Sequence, residues 1–468
     1  MTLIKSISGI RGTIGGKPGD ALTPVDVVKF TSAYGAWLML RNPGHRCSVV
    51  VGRDARISGP MVSGLVNSTL CGLGIDVIET GLSTTPTVEM AVPYHKASGG
   101  IILTASHNPK QWNALKLLNE KGEFLSAADG EEILRLAESA DMVYADVNHI
   151  GMVSIDNGSM ARHIEAILAL PMVDRKAIAA KNFKIVIDCV NSTGGIVVPA
   201  LLRALGVTEI VELYCQPDGH FPHNPEPLPE NLTEISKEVV KKKAHLGIVV
   251  DPDVDRLALV CEDGEMFGEE YTLVAVADFV LKNKKGNSVS NLSSTRALRD
   301  VTEKAGGSHF AAAVGEVNVV EMMKAQQAVI GGEGNGGVIL PDLHYGRDAL
   351  MGIALFLTHL ANFGKSCSML RASYPDYFIS KNKIELTPDI NVDEILEGIS
   401  TKYKKQPINK IDGVKIEFDK EWVHLRRSNT EPIIRIYAES QSMTTAENLA
   451  LKIISDIKDL LNTAVAKS

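Results

Sequence analysis

The chain of 468 residues carries 48 Lys and Arg against 56 Asp and Glu, a formal net charge of −8. That balance gives no global basic field for nucleic acid or an anionic membrane, so neither is an expected partner. With 45% apolar and 22% charged residues the composition is that of an ordinary globular protein, and at about 100–200 residues per domain its length suggests roughly three or four domains.

No stretch approaches the ~18 uncharged apolar residues of a membrane span, and the opening MTLIKSISGIRG lacks the apolar core of a signal peptide. The cysteines, Cys47, Cys71, Cys189, Cys215, Cys261 and Cys367, are scattered without a C-x-x-C pair. A cytoplasmic protein with neither disulfide framework nor zinc site is expected.

Short apolar runs alternate with amphipathic stretches to about residue 370, which predicts strand–helix units and a mostly parallel sheet. Each of several runs ends in a polar loop. Cys47–Val51 leads into Gly52-Arg53-Asp54, and Gly100–Leu103 into Thr104-Ala105-Ser106-His107-Asn108-Pro109. Lys184–Ile187 leads into Asp188, Gly247–Val250 into Asp251, and Val329–Ile330 into Gly331-Gly332-Glu333. In open α/β sheets ligands bind beyond the carboxyl ends of strands, so these loops stand where chemistry is expected. The final stretch predicts strands over Val414–Phe418, Trp422–Leu425 and Ile433–Glu439 and a helix from Thr445 to Leu461. The expected division is 1–153, 154–256, 257–372 and 373–468, the first three α/β and the last α+β.

Ser106 is flanked by small and polar residues, and Pro109 restricts the loop exit at Asn108. A polar turn uses the same residue types. Lys116, in the extended stretch Ala114–Leu118, could neutralise a phosphate or shuttle a proton. Asp251-Pro252-Asp253-Val254-Asp255-Arg256 places three carboxylates at alternate positions. Together they suit one hard cation, magnesium or calcium, because such close carboxylates repel unless a positive charge compensates them. Arg256 would add a bidentate phosphate donor. An EF-hand is disfavoured, since Arg256 stands where its turn requires glycine. An aspartate-nucleophile phosphatase with Asp251 attacking stays open at this stage. Gly331–Gly337 brings Glu333 and Asn335, an acceptor and a mixed donor–acceptor fitting sugar hydroxyls. Arg426-Arg427-Ser428-Asn429-Thr430-Glu431-Pro432, with Arg435 beyond, can form an anion cradle between two strands. A flexible turn and a solvated hairpin end are the alternatives for these two loops.

In this order the four loops resemble the α-D-phosphohexomutase superfamily, which comprises phosphoglucomutases, phosphomannomutases and phosphoglucosamine mutases. The resemblance covers essentially the whole chain and implies three related α/β domains and a C-terminal α+β domain around a central cleft. It implies a phosphoserine at Ser106, with His107 beside it in the catalytic set, and one Mg2+ per chain on Asp251, Asp253, Asp255 and Ser106. It further implies sugar contacts from Glu333 and Asn335, and phosphate contacts from Arg256, Arg426, Ser428, Asn429, Thr430 and Arg435. Gly9-Ile10-Arg11-Gly12 matches the opening motif, which adds Arg11, and Lys116 matches the candidate general base. The implied reaction interconverts hexose 6-phosphate and hexose 1-phosphate through phospho-Ser106 and a hexose 1,6-bisphosphate, which also serves as activator. The expected enzyme is a monomer or homodimer. Departures are visible: Gly337 stands where many members have histidine, with His344 the nearest replacement downstream, and Asn335 replaces a common serine. The glycine loop favours phosphoglucosamine mutase, with phosphomannomutase and phosphoglucomutase as alternatives. A non-catalytic sugar-phosphate sensor is the alternative outside catalysis.

Overall fold

A computed structural model describes residues 2–6, 9–139, 142–385, 390–427 and 433–465. Its strands form four sheets. The first has seven strands, in spatial order Ile4–Ser6, Gly9–Thr13, Trp112–Leu118, Gly99–Leu103, Ser48–Arg53, Asp76–Leu82 and Val153–Ile155. The second runs Leu257–Cys261, Leu246–Val250, Lys184–Asp188 and Glu209–Leu213, and the third His309–Ala312, Ser288–Asn291, Ile330–Glu333 and Gly337–Ile339.

One design recurs in all three. In each, a series of four consecutive strands starts with a central one (Ser48–Arg53, Lys184–Asp188 or Ser288–Asn291); the second of the series pairs parallel on one side of it, and the third pairs parallel on its other side. A fourth strand then turns back antiparallel on the third. The three loops at these reversals are the Ser106 loop, the aspartate loop and the glycine loop. The third strands Gly99–Leu103 and Leu246–Val250 are buried along their whole length, as parallel strands covered on both faces must be. The reversal puts each loop at a carboxyl edge.

The pairing of Leu257–Cys261 with Leu246–Val250 moves one expected boundary. The second unit continues through Cys261 rather than ending at Arg256. The apolar run after Arg256 looks like the start of a new unit only because the letters carry no pairing information. The first sheet likewise takes in Val153–Ile155 whole, parallel to Asp76–Leu82.

The fourth sheet is antiparallel, in order Phe378–Glu385, Ile433–Ser440, Trp422–Arg427, Val414–Glu417 and Ile408–Asn409. Its apolar face packs on the helices Val392–Lys402 and Met443–Val465. One continuous core joins the second and third units, and the helix Ala349–Phe363 within it is buried nearly all round. Asp348 caps that helix, accepting from the N–H groups of Leu350 and Met351 at 2.8 and 3.1 Å. The other oxygen of Asp348 accepts from His163 Nε2 at 2.8 Å. His163 Nδ1 meets Thr87 Oγ1 at 2.9 Å, so one buried chain of bonds joins all three α/β units. Among the described residues no helix is long and apolar enough to cross a membrane.

Candidate active site

Ser106 sits in the left-handed region at φ 48°, a conformation that costs a non-glycine residue about 1–3 kcal/mol and persists only where its surroundings hold it. Arg56 supplies the hold. It is 1% exposed and donates to the carbonyl oxygens of Ser106 (2.5 Å), Asn108 (2.6 Å), Pro109 (2.8 Å) and Trp112 (2.9 Å). Its Nε donates to Asp54 Oδ2 at 3.0 Å. Thr104 Oγ1 also donates to Asp54, at 2.7 Å, and accepts from the Ser106 N–H at 2.9 Å. Five donors in a rigid fork suit this task, and no other side chain offers them. In the sequence Asp54 stands only as part of a polar loop, and nothing local marks Arg56.

The Ser106 hydroxyl donates to Asp251 Oδ2 at 2.7 Å and lies 3.3 Å from His107 Nδ1. Asp251, Asp253 and Asp255 are fully buried, and one ligand oxygen from each lies within 4.8 Å of the others. Their oxygens are divided between two tasks. Asp253 Oδ2 accepts from Lys116 at 2.7 Å and from Thr85 Oγ1 at 2.6 Å. Asp255 Oδ2 accepts from Arg347 at 2.7 Å and lies 3.5 Å from Lys116 Nζ. The Oδ1 atoms of Asp253 and Asp255 are buried and have no hydrogen bond. Orphaned carboxylate oxygens beside the serine are the donor set a hard divalent ion needs, so these residues fit magnesium.

The aspartate loop is anchored from outside its own strands. The Thr85 N–H donates to the Asp253 carbonyl at 2.9 Å, and the hydroxyls of Ser192 and Thr193 donate to the Pro252 carbonyl at 2.7 and 2.9 Å. Asp251 Oδ1 accepts from the N–H groups of Asp255 and Arg256.

Burial raises Asp251 well above the usual carboxylate range, and the charges of Asp255 and Asp253 push the same way. Asp255 goes down instead: burial would raise it, but Arg347 and Lys116 outweigh that. Burial works against the Lys116 ammonium, yet Asp253 and Asp255 raise it above the ordinary lysine value. Lys116 thus sits as the charge partner of Asp253 and Asp255. Burial, then Arg256, holds His107 well below the usual imidazole range, so it is neutral at pH 7.

Ser106, His107, Lys116, Arg11, Arg256 and Glu333 all line one cavity of about 590 Å³. The Nε atoms of Arg11 and Arg256 are buried there without a hydrogen bond, which is a donor surplus awaiting an anion. Asn335 is not in the lining; its Oδ1 accepts from the Gly337 N–H at 3.3 Å. Arg426 and Arg435 also lie outside the lining, directly opposite each other on neighbouring strands of the fourth sheet. Ser428, Asn429 and Thr430 fall outside the described residues. His344 does not fill the place left by Gly337: it is absent from the lining and lies 3.3 Å from Asp348 and 3.4 Å from Glu89. Arg347, unforeseen in the sequence, does line the cavity.

Four family models match in order. They are the phosphoglucomutase/phosphomannomutase alpha/beta/alpha domains I, II and III at residues 3–143, 161–264 and 268–377, and the C-terminal domain at 383–455. A phosphoglucomutase/phosphomannomutase of Thermococcus kodakarensis is 35% identical over 453 residues, 96% of this chain and 97% of the relative. A probable phosphoglucosamine mutase of Methanopyrus kandleri is 32% identical, covering 96% and 97%. The solved structure of a phosphoglucomutase/phosphomannomutase family protein from Burkholderia thailandensis superimposes with TM-score 0.82 at 25% identity, covering 98% of both chains. All four domains in order, and relatives this similar along nearly their whole length, show that the chain belongs to the phosphoglucomutase/phosphomannomutase family of phosphohexomutases, isomerases that move a phosphoryl group on a hexose.

Proposed function

We propose that the chain interconverts hexose 6-phosphate and hexose 1-phosphate through phospho-Ser106, with glucosamine phosphate as the preferred substrate and phosphoglucomutase or phosphomannomutase activity as the alternative. The observation that carries the reading is Ser106 Oγ bonded to Asp251 beside two orphaned aspartate oxygens and two undersatisfied arginines. In the first step the free hydroxyl of the sugar attacks phosphorus and the Ser106 Oγ–P bond breaks, the hydroxyl proton passing to the released serine oxygen, giving a hexose 1,6-bisphosphate. The bisphosphate turns over in the cavity. Ser106 Oγ then attacks the other phosphate, the sugar O–P bond breaks as the serine proton passes to the sugar oxygen, and the isomerised monophosphate leaves.

A loose phosphoryl-transfer transition state needs positioning and charge neutralisation above all. A magnesium ion on Asp251, Asp253 and Asp255, one per chain, would supply Lewis-acid polarisation of the phosphoryl oxygens. Lys116, Arg11 and Arg256 offset charge at the same wall of the cavity. Glu333 receives sugar hydroxyls. Arg426 and Arg435 form a like-charge cross-strand pair that Asp412, 3.4 Å from Arg426, offsets only in part, and the pair suits the phosphate that is not reacting. The preference for glucosamine rests on the glycine loop and on relatives that bear that name.

Intact-mass measurement should find one added phosphate, absent from Ser106→Ala, and Ser106→Ala should lose mutase turnover even with bisphosphate supplied. Full activity in that variant would sink the assignment. Net phosphate release that depends on Asp251 but not Ser106 would instead favour the phosphatase. Catalytic efficiencies on the three hexose phosphates rank the substrates.

A further inference from the structure

Arg347 stands directly before the helix cap Asp348 and is 9% exposed. Its Nη2 donates to Asp255 Oδ2 at 2.7 Å and its Nη1 to Glu333 Oε2 at 2.8 Å. Its Nε lies 3.0 Å from Glu316 Oε2, and its backbone N–H donates to Glu316 Oε1 at 2.9 Å. The same side chain explains a glycine. A Cβ built on Gly337 would stand 2.3 Å from Arg347 Cδ and 3.0 Å from Cγ, so the stem of Arg347 occupies the space a side chain at 337 would need.

We infer that Arg347 is a positioning residue that locks the metal loop to the sugar loop, and that Gly337 lacks a side chain to make room for it. This inference rests on the phosphohexomutase reading of Asp255 and Glu333. By holding Asp255 through Oδ2, Arg347 leaves Oδ1 free for the cation, and by holding Glu333 it fixes the carboxylate that reads the sugar. Charge alone does not account for the residue, because Lys116 already lies 3.5 Å from Asp255. The fork is what matters: a guanidinium bridges two carboxylates at fixed angles, and an ammonium is a point charge.

The test takes Arg347→Lys, Arg347→Ala, Gly337→Ala and the Gly337→Ala/Arg347→Ala double variant. Binding of Mn2+, the probe ion, is followed by electron paramagnetic resonance and turnover is measured on hexose phosphate. Arg347→Lys should bind Mn2+ about 10-fold or more weakly, in the range found when a group supporting a metal ligand is removed, and KM for the sugar should rise. Gly337→Ala should reproduce both effects in the wild-type background and add nothing to Arg347→Ala, because the two changes act on one space. Unchanged Mn2+ affinity in a folded Arg347→Lys, or strictly additive losses in the double variant, overturns the proposal. Failure of the underlying reading shows differently: the wild-type protein itself would bind no Mn2+, or Ser106→Ala would stay active.

Discussion

Replacing Arg56 with methionine tests how the Ser106 loop is held. The substitution keeps the length of the stem but removes every donor. It strands the carboxylate of Asp54, which is fully buried, and unties the four carbonyls of Ser106, Asn108, Pro109 and Trp112. Breaking a buried ion pair from one side costs about 3–5 kcal/mol. Each buried carbonyl left unmet adds about 1–3 kcal/mol, although neighbours in one network do not sum and water can reach part of the loop. A loss of about 4–6 kcal/mol is expected, a large share of the ~5–15 kcal/mol that holds a native protein. At roughly 2–4 °C per kcal/mol for a unit of this size, Tm should fall by about 10–20 °C. Calorimetry on the whole chain measures it. An Asp54→Leu/Arg56→Met double variant should regain part of the loss, because the uncompensated charge goes with the partner. The reasoning is refuted if Arg56→Met unfolds within about 1 kcal/mol of wild type, or if the double variant is no more stable than the single one.

Histidines buried in the neutral form should lose their stabilising contribution in mild acid. Burial lowers His309 to about 3, and His359 and His424 to about 4. Unfolding frees these three histidines to bind protons below about pH 6.5, so their contribution to stability should decline from there towards pH 4, against the opposite pull of carboxylates that burial raises, Asp251 and Glu270 among them. Urea midpoints across that window, wild type against His309→Gln, check it, and the variant should lose less stability towards acid. Gly336→Ala should cost about 2 kcal/mol or more, since φ is +87° and a Cβ would stand 2.4 Å from the Leu257 carbonyl oxygen. Because the Leu257 N–H donates to the Gly336 carbonyl at 3.0 Å and so seats the glycine loop, KM for the sugar should rise as well; unchanged thermal stability and KM would count against it.

The strands Gly99–Leu103 and Leu246–Val250 and the loops after them are legible in the sequence for one physical reason. A strand covered on both faces is a continuous apolar run, and the polar loop at its end stands out against it. Ser106, Asp251, Asp253 and Asp255 are accessible in this way, whereas Glu333 ends its own strand, Ile330–Glu333, and is marked by the glycines beside it. Arg56 and Arg347 are not legible in either way. Arg56 grips carbonyls some 50 residues on, and Arg347 bridges to an aspartate 92 residues away, so nothing local distinguishes either from a surface arginine. The one local trace of Arg347 was Gly337, a missing side chain whose cause lies ten positions downstream. The shared strand order of the three units also left no readable repeat, since that order constrains burial and pairing rather than particular letters. The edge strand Phe378–Glu385 alternates buried and exposed positions only weakly, and its polar composition hid it.

The anchoring of the aspartate loop bears on modularity. Its carbonyls and carboxylates are held by Thr85 and Lys116 from the first unit, Ser192 and Thr193 from the second and Arg347 from the third. The three related units look interchangeable, yet they are not exchangeable parts. A chimera that imports only the second unit from a distant relative would inherit the aspartates without the hands that seat them, and recombination within this family has to carry Thr85, Lys116 and Arg347 along with the loop they hold.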